Sequence, residues 1–276
     1  MIADRDIILA RIAIALERLA PPAPGTANWR NFPAYVWEGA SARPIAALDA
    51  PRLEQLQGIE AQKQRVIENI ARHTAGYAAH DMLLWGARGM GKSALLRAAI
   101  IAAQEAEPRN IALVQVGGDA LQTLPELFTQ LAKARRQFVV FLDDLGFADD
   151  DPIGPRALRS LLEGGVDARP DNVRIAITSN RRVILPRQSD EQDGSLNPRD
   201  DVEDKLALAD RFGISIGFHS CGKETYLAIV ATYADPLGLE WDDGDALAWA
   251  MQRGARSGRT AWQYVTEISG RAGKTL

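Results

Sequence analysis

Short uninterrupted apolar runs alternate with helical periodicity through the middle of the chain. The apolar runs fall at Met82 to Trp85, Ile111 to Val116, Phe138 to Leu142, Val173 to Thr178 and Ile214 to Phe218. Between them, apolar positions spaced by three and four predict helices over Ser93 to Ala106, Pro125 to Arg136, Pro155 to Glu163 and Val202 to Ala209. Strands that alternate with helices imply a mainly parallel sheet covered on both faces, which is an α/β fold. After Phe218 the strand pattern stops. Helical patterns at Lys223 to Ala234, Gly244 to Arg253 and Thr260 to Arg271 predict a separate helical subdomain.

The first fifty residues follow a different rule. Ile8, Ile12, Leu16 and Leu19 make one apolar stripe on a predicted helix whose other face carries charges of both signs, so it is expected to dock on the protein's own core. Residues 21–51 hold six of the fourteen prolines, which argues against regular helix or a central strand there and predicts a linker. Trp29, Phe32, Tyr35 and Trp37 are too apolar for a free tether and are expected to pack along a groove of the main body. The expected division is therefore 1–50 for the N-terminal helix and proline-rich linker, 51–218 for the α/β domain and 219–276 for the helical lid.

Composition narrows the function classes. With 276 residues, two domains are the prior. A formal charge of -4 gives no global excess of positive charge to hold a polyanion, which disfavours non-specific nucleic-acid binding by the whole surface. The single Cys221 allows no intramolecular disulfide, and three histidines beside it offer no metal-ligand spacing, so a disulfide scaffold and a zinc module are excluded. No apolar stretch approaches the roughly 18 residues of a membrane span, and charges break up the N-terminal region where a signal peptide would need an apolar core. A cytoplasmic location is expected. The acid-rich stretch 186–204 is read as a solvated surface loop.

The strongest chemical signal is Gly86-Ala87-Arg88-Gly89-Met90-Gly91-Lys92-Ser93, a G-x-x-x-x-G-K-S phosphate loop placed after a predicted strand and before a predicted helix. Glycines let successive backbone N–H groups turn toward phosphate oxygens at the positive end of the helix dipole, and Ala94 continues that first turn. Lys92 is expected on the β- and γ-phosphates and Ser93 on Mg²⁺. The buried run Phe138 to Leu142 ends in Asp143 and Asp144. Asp143 would join the metal shell and Asp144 would orient the attacking water, although Asp144 as the cap of a turn is the plainer alternative. Where Glu is frequent for the second acid, the shorter Asp predicts slow hydrolysis.

Asn180 follows the strand Val173 to Thr178 and is the candidate γ-phosphate sensor, with a simple turn as its alternative. Arg211, placed before the last strand, is expected to reach a neighbouring subunit's nucleotide as an arginine finger, so a homo-oligomer is expected. Such a residue contributes about 10³ to 10⁵ in rate. A salt bridge with Asp210 or Glu203 is the alternative for it. Residues 252–276 carry a net charge of +4, and Arg259, favoured over Arg256, is expected to fold over the γ-phosphate from the lid. This basic end also leaves open a nucleic-acid contact.

These elements in this order resemble the AAA+ ATPases, and more closely the DUF815 family of predicted AAA+ ATPases. The resemblance runs from Leu56-Gln57-Gly58-Ile59 through the phosphate loop, Asp143-Asp144-Leu145, Leu162-Glu163-Gly164-Gly165, Thr178 to Arg182 and Asp210 to Gly213, ending in Arg253 to Arg259 with Ala261-Trp262-Gln263. It covers about four fifths of the chain. It implies a P-loop NTPase fold with a five-stranded sheet in the order 5-1-4-3-2, a C-terminal helical lid and adenine held near Gly58 and Ile59. Gly146 replaces the usual serine after the paired acids, and Val183 replaces a frequent histidine.

The function expected from the sequence is that of an ATP- and Mg²⁺-dependent ATPase acting as an oligomer, without a membrane. The alternative is a nucleotide-gated loader or scaffold that holds a protein client or nucleic acid and hydrolyses little. A small-molecule kinase shares the phosphate loop but lacks an evident acceptor pocket.

Overall fold

Apolar residues at consecutive positions can be buried only if a strand is covered on both faces, and the central strands meet that condition. The computed structural model describes residues 27–146, 158, 162, 169–180 and 211–276. The helices expected over 1–20 and Val202 to Ala209 and the acidic stretch 186–204 lie outside the described residues. So does the helix expected over Pro155 to Glu163, save Leu158 and Leu162.

The strands are β1 (Ala34–Trp37), β2 (Ala42–Ile45), β3 (Met82–Gly86), β4 (Ile111–Val116), β5 (Gln137–Leu142), β6 (Val173–Ser179) and β7 (Ile214–Phe218). The helices are α1 (Glu60–Thr74), α2 (Lys92–Ala106), α3 (Leu124–Leu131), α4 (Lys223–Ala234), α5 (Asp243–Gln252) and α6 (Gly258–Arg271). The expectation of a five-stranded sheet is corrected: the sheet has seven strands, in the order β2-β1-β4-β5-β6-β3-β7, in which the five expected strands keep the relative order 5-1-4-3-2 and β1 and β2 extend the sheet beyond β4. Every pairing is parallel except that of β1 with β2.

The two unexpected strands come from the stretch read as a linker. Prolines flank β1 but none lies within Ala34–Trp37, so its backbone is free to pair with β4 on one side and β2 on the other. Pro44 lies opposite Tyr35 on β2, the edge strand, where a missing N–H is tolerated. The aromatic residues of this stretch belong to the core of the sheet: Trp29, Tyr35 and Trp37 are buried, and the Trp29 ring lies 4.7 Å from that of Tyr35 and 5.8 Å from that of Phe138. The Arg136 guanidinium fixes the segment by donating to the carbonyls of Trp29 (3.2 Å), Phe32 (2.8 Å) and Ile111 (2.6 Å).

Alternation along the strands divides the core. Met82 and Leu84 join the face packed by α1, α2 and the C-terminal helices, whereas Leu83 joins the opposite face with α3 and the N-terminal aromatics. The C-terminal helices thus share one continuous apolar cluster with α1 and α2. Helix α1 has no counterpart among the helices expected from the sequence. Its buried stripe contains Asn69, His73 and Thr74 beside Val66 and Ile70, so polar residues break the periodicity. Each has a partner: Asn69 Nδ2 donates to the His80 carbonyl at 2.9 Å, Thr74 Oγ1 donates to the Ile70 carbonyl at 2.8 Å, and His73 Nε2 lies 3.0 Å from the Phe138 carbonyl oxygen on β5. No helix among the described residues is long and apolar enough to cross a membrane.

Candidate functional site

Parallel strands place their C-terminal ends on one edge of the sheet, and the loops leaving β3, β5 and β6 therefore meet there. The loop after β3 begins at Gly86, whose φ of +118° and approach to β7 exclude a side chain, since a Cβ would fall 2.1 Å from the Phe218 carbonyl oxygen. The Ala87 N–H donates to that oxygen at 2.8 Å. Gly91, at φ +89°, then starts α2. Lys92 lies folded into the loop, its Nζ donating to the carbonyls of Gly86 (2.8 Å) and Ala87 (2.9 Å) and to Asn180 Oδ1 (3.2 Å).

The carboxylates after β5 meet this loop. Ser93 Oγ donates to Asp143 Oδ1 at 2.5 Å, and Thr178 Oγ1 donates to the same oxygen at 2.7 Å. The Asp144 N–H donates to Thr178 Oγ1 at 2.7 Å, while Asn180 Nδ2 donates to the Asp144 carboxylate. Asp144 adopts φ +49°, a left-handed conformation that costs a non-glycine residue about 1–2 kcal/mol and turns its carboxylate back toward Asn180. Burial pulls the Lys92 ammonium below the usual lysine range. Asp144 and Asp143 oppose that shift, and Arg259 and Arg88 add to it.

The lid closes the other side. Ser257 caps α6 by accepting from the Thr260 N–H at 3.2 Å, and the Arg259 N–H donates to the Gly89 carbonyl at 3.2 Å. These groups bound a cavity of about 880 Å³, within the range of small-molecule sites. Arg88, Gly89, Gly91, Lys92, Ser93, Ala94, Asp143, Asp144, Asn180 and Arg259 all line it.

The remaining expected residues lie elsewhere. Gly86, Ala87 and Met90 do not line the cavity: the first two offer their carbonyls to Lys92, and Met90 is buried. Gly58 and Ile59 do not line the cavity. Gly58 packs against Thr225 of α4 and Ile59 is buried against Gly91, so they support the site, and Leu56 lines it in their place. Arg211 is exposed and precedes β7 by three residues. Since Ile214 pairs with Met82 and Phe218 with Gly86, Arg211 lies beyond the far end of a strand about 13 Å long from the loop.

Thr178, Arg97, Tyr233 and Trp262, together with Asp49 to Pro51, also line the cavity and have no assigned role in the sequence reading. Thr178 and Arg97 were accessible in principle. Thr178 ends a buried strand beside the paired acids, and Arg97 stands four residues after Ser93 on one helix face. The others are brought in only by the tertiary fold.

Both the fold and the family are visible in known proteins. The chain is similar to the Thermotoga maritima RuvB Holliday junction branch migration motor (15% identity, TM-score 0.51, covering 82% of this chain and 68% of that one). It is also similar to the Aeropyrum pernix ORC1 protein in complex with DNA (18% identity, TM-score 0.56, covering 78% of this chain and 61% of that one). These are AAA+ proteins, and at such identities the likeness establishes the fold. The sequence matches no curated protein. The model of DUF815, described as a protein of unknown function, matches residues 30–272, and the chain therefore belongs to the DUF815 family, with the AAA+ fold.

Proposed function

We propose that the chain binds ATP with Mg²⁺ in the cavity between the Gly86 to Ser93 loop and α6, and hydrolyses its β–γ bond. The observation that carries this reading is the convergence of Lys92, Ser93, Asp143 and Asn180 on one cavity, joined by hydrogen bonds of 2.5 to 3.2 Å. The all-oxygen pair of Ser93 hydroxyl and Asp143 carboxylate suits a hard divalent cation and would hold Mg²⁺. When bound, the ion would neutralise charge on the phosphate oxygens.

The chain's own groups then divide the work. Loop amides and the Lys92 ammonium hold the phosphates, which requires Lys92 to exchange its carbonyl contacts for phosphate oxygens. Asp144 orients a water whose oxygen forms the new bond to the γ-phosphorus as the bridging oxygen leaves with ADP. Asn180, bonded to both Lys92 and Asp144, couples the phosphate end to the water-orienting end. Arg259 meets the γ-phosphate from the lid. Arg211 acts on a neighbouring subunit in a homo-oligomer, a role supported by its distance from its own cavity.

Lys92→Ala in the full chain tests the reading: ATP affinity falls at least tenfold and turnover is lost, whereas unchanged affinity and turnover overturn it. For the trans role, mixing Arg211→Ala with Asp144→Asn chains restores part of the activity, and no recovery in an assembled mixture refutes it. The Asp144 hydrogen bond to Asn180 also favours a second reading, in which the chain is a nucleotide-gated loader or scaffold with little hydrolysis. Tight ATP binding with no phosphate release, together with salt-sensitive binding of single-stranded DNA by the basic C-terminal end, distinguishes it.

A further inference from the structure

The cavity extends past the groups that would hold phosphate. Ser93, Ala94 and Arg97 follow one another at spacings of one and three along α2 and all three line it. Ser93 and Arg97, four residues apart, share one helix face. The rise of about 1.5 Å per residue carries Arg97 about 6 Å beyond Ser93, away from the phosphate loop. Asp49 and Pro51, from the segment after β2, line the same cavity.

Arg97 differs from the other cations around the cavity. Lys92 is satisfied by two carbonyls and an amide oxygen. Arg97 Nε is buried and has no hydrogen-bond partner among the described residues. The Nε–H group of an arginine is a donor only, and burying a donor without an acceptor is unfavourable. Nε itself is enclosed, but the residue lines the cavity one helical turn past the metal and phosphate groups, where a bound molecule would meet its side chain.

We infer that Arg97 is a specificity-determining residue for the nucleoside: its guanidinium donates to a ring nitrogen, carbonyl or hydroxyl oxygen on the base or ribose of the bound nucleoside triphosphate. This rests on the nucleotide reading above and assigns to one residue the end of the ligand that the phosphate loop does not recognise. It also gives the segment after β2 a reason to sit where it does, because Asp49 to Pro51 wall in the same compartment.

The test compares two ligands, MgATP and inorganic tripolyphosphate with Mg²⁺, by titration calorimetry on the full-length wild type, Arg97→Met and Lys92→Ala. Methionine keeps the aliphatic stem and removes every donor. Losing a hydrogen bond to a charged donor corresponds to about 10- to 100-fold in affinity. The expected result is that loss for ATP in Arg97→Met with tripolyphosphate affinity unchanged, while Lys92→Ala weakens both. Equal losses for the two ligands in Arg97→Met mean that Arg97 serves the phosphates and overturn the inference, as does unchanged ATP affinity. Retained tripolyphosphate binding shows the variant to be folded. Should Arg97→Met lose both ligands through misfolding, Arg97→Lys carries the same comparison, with a smaller loss for ATP alone expected and an equal loss for both overturning it. If the wild type binds neither ligand, the nucleotide reading itself fails and this inference falls with it. If it binds both and Arg97→Met changes neither, only the assignment of Arg97 is refuted.

Discussion

Ser93 and Asp143, fifty residues apart, are joined by a hydrogen bond of 2.5 Å from the serine hydroxyl to the carboxylate. One stands on the first turn of α2 and the other just past β5, so the bond forms only if the sheet brings the two loops together. Thr178 holds the same carboxylate oxygen from β6. A helix start and a neighbouring strand thus fix one acid.

Asp143→Asn keeps an oxygen able to accept from Ser93 and Thr178 but removes the charge that a divalent ion needs. ATP binding in the presence of a chelator is expected to stay within about threefold of wild type. The enhancement by Mg²⁺ is lost, and any turnover falls by about 100-fold, equivalent to about 3 kcal/mol. Parallel titrations with Mg²⁺ and with chelator measure both, and a full Mg²⁺ response in the variant contradicts the role given to Asp143.

Gly89→Ala probes the junction between phosphate loop and lid. Its φ is +73°, and a Cβ there would lie 2.8 Å from Ser257 Oγ, the cap of α6, and 3.0 Å from Arg259 Cβ. Gly254 provides the control, with φ +70° and nothing within 4 Å of its Cβ position. Gly254→Ala should lose only the backbone term, about 1–2 kcal/mol, and leave ATP affinity unchanged. Gly89→Ala should lose more stability and weaken ATP, because Ser257 and Arg259 must move. Denaturant unfolding and ATP titration of both variants separate the two effects, and equal behaviour removes the steric argument.

The positions of the central strands and of the phosphate loop were legible because fully buried parallel strands and a glycine-rich turn both have short local signatures. Strand β1 was not. Its four residues, Ala34 to Trp37, lie among prolines that dominate the composition of the segment, and its pairing with β4 is a contact between distant parts of the chain. Helix α1 escaped because its buried face uses Asn69, His73 and Thr74 as hydrogen-bonding residues. At the site, Lys92, Ser93 and the paired acids are legible as a motif. Tyr233 and Trp262 are brought to the cavity only by the tertiary fold, which no local pattern encodes. Gly58 and Ile59 illustrate the reverse case, since they lie next to Leu56, which lines the cavity, yet point to supporting contacts.

Arg136→Met should loosen the N-terminal strands. The variant preserves much of the buried stem but leaves the carbonyls of Trp29, Phe32 and Ile111 without this donor. Gln104 Nε2 still donates to the Ile111 carbonyl at 3.1 Å, and a buried acceptor left unpaired costs about 1–3 kcal/mol, so a loss of about 3 kcal/mol from the Trp29 and Phe32 carbonyls is expected in unfolding experiments. Amide exchange is expected to accelerate first over Ala34 to Trp37, before β5 and β6. Uniform acceleration across the sheet would mean that Arg136 supports the core as a whole and does not secure the N-terminal segment in particular.

His73 predicts an acid-side loss of stability. Its side chain is 1% exposed, and Nε2 lies 3.0 Å from the Phe138 carbonyl oxygen, so the neutral ring with its proton on Nε2 satisfies the contact. Burial lowers its pKa from 6.5 to about 4; the hydrogen bond to Phe138 and the charge of Asp81 oppose this, and Arg174 and Arg169 add to it. The unfolded chain therefore binds a proton near pH 6.5 that the folded chain refuses until about pH 4. Over that window stability falls as pH falls, because the unfolded state holds more protons. The full difference corresponds to about 3 kcal/mol, with the neutral-histidine contribution intact above pH 6.5. His73→Gln, which can still donate to the Phe138 carbonyl and does not titrate, should flatten the pH dependence of the unfolding free energy between pH 6.5 and 4. An unchanged slope in that variant would place the acid sensitivity on other groups.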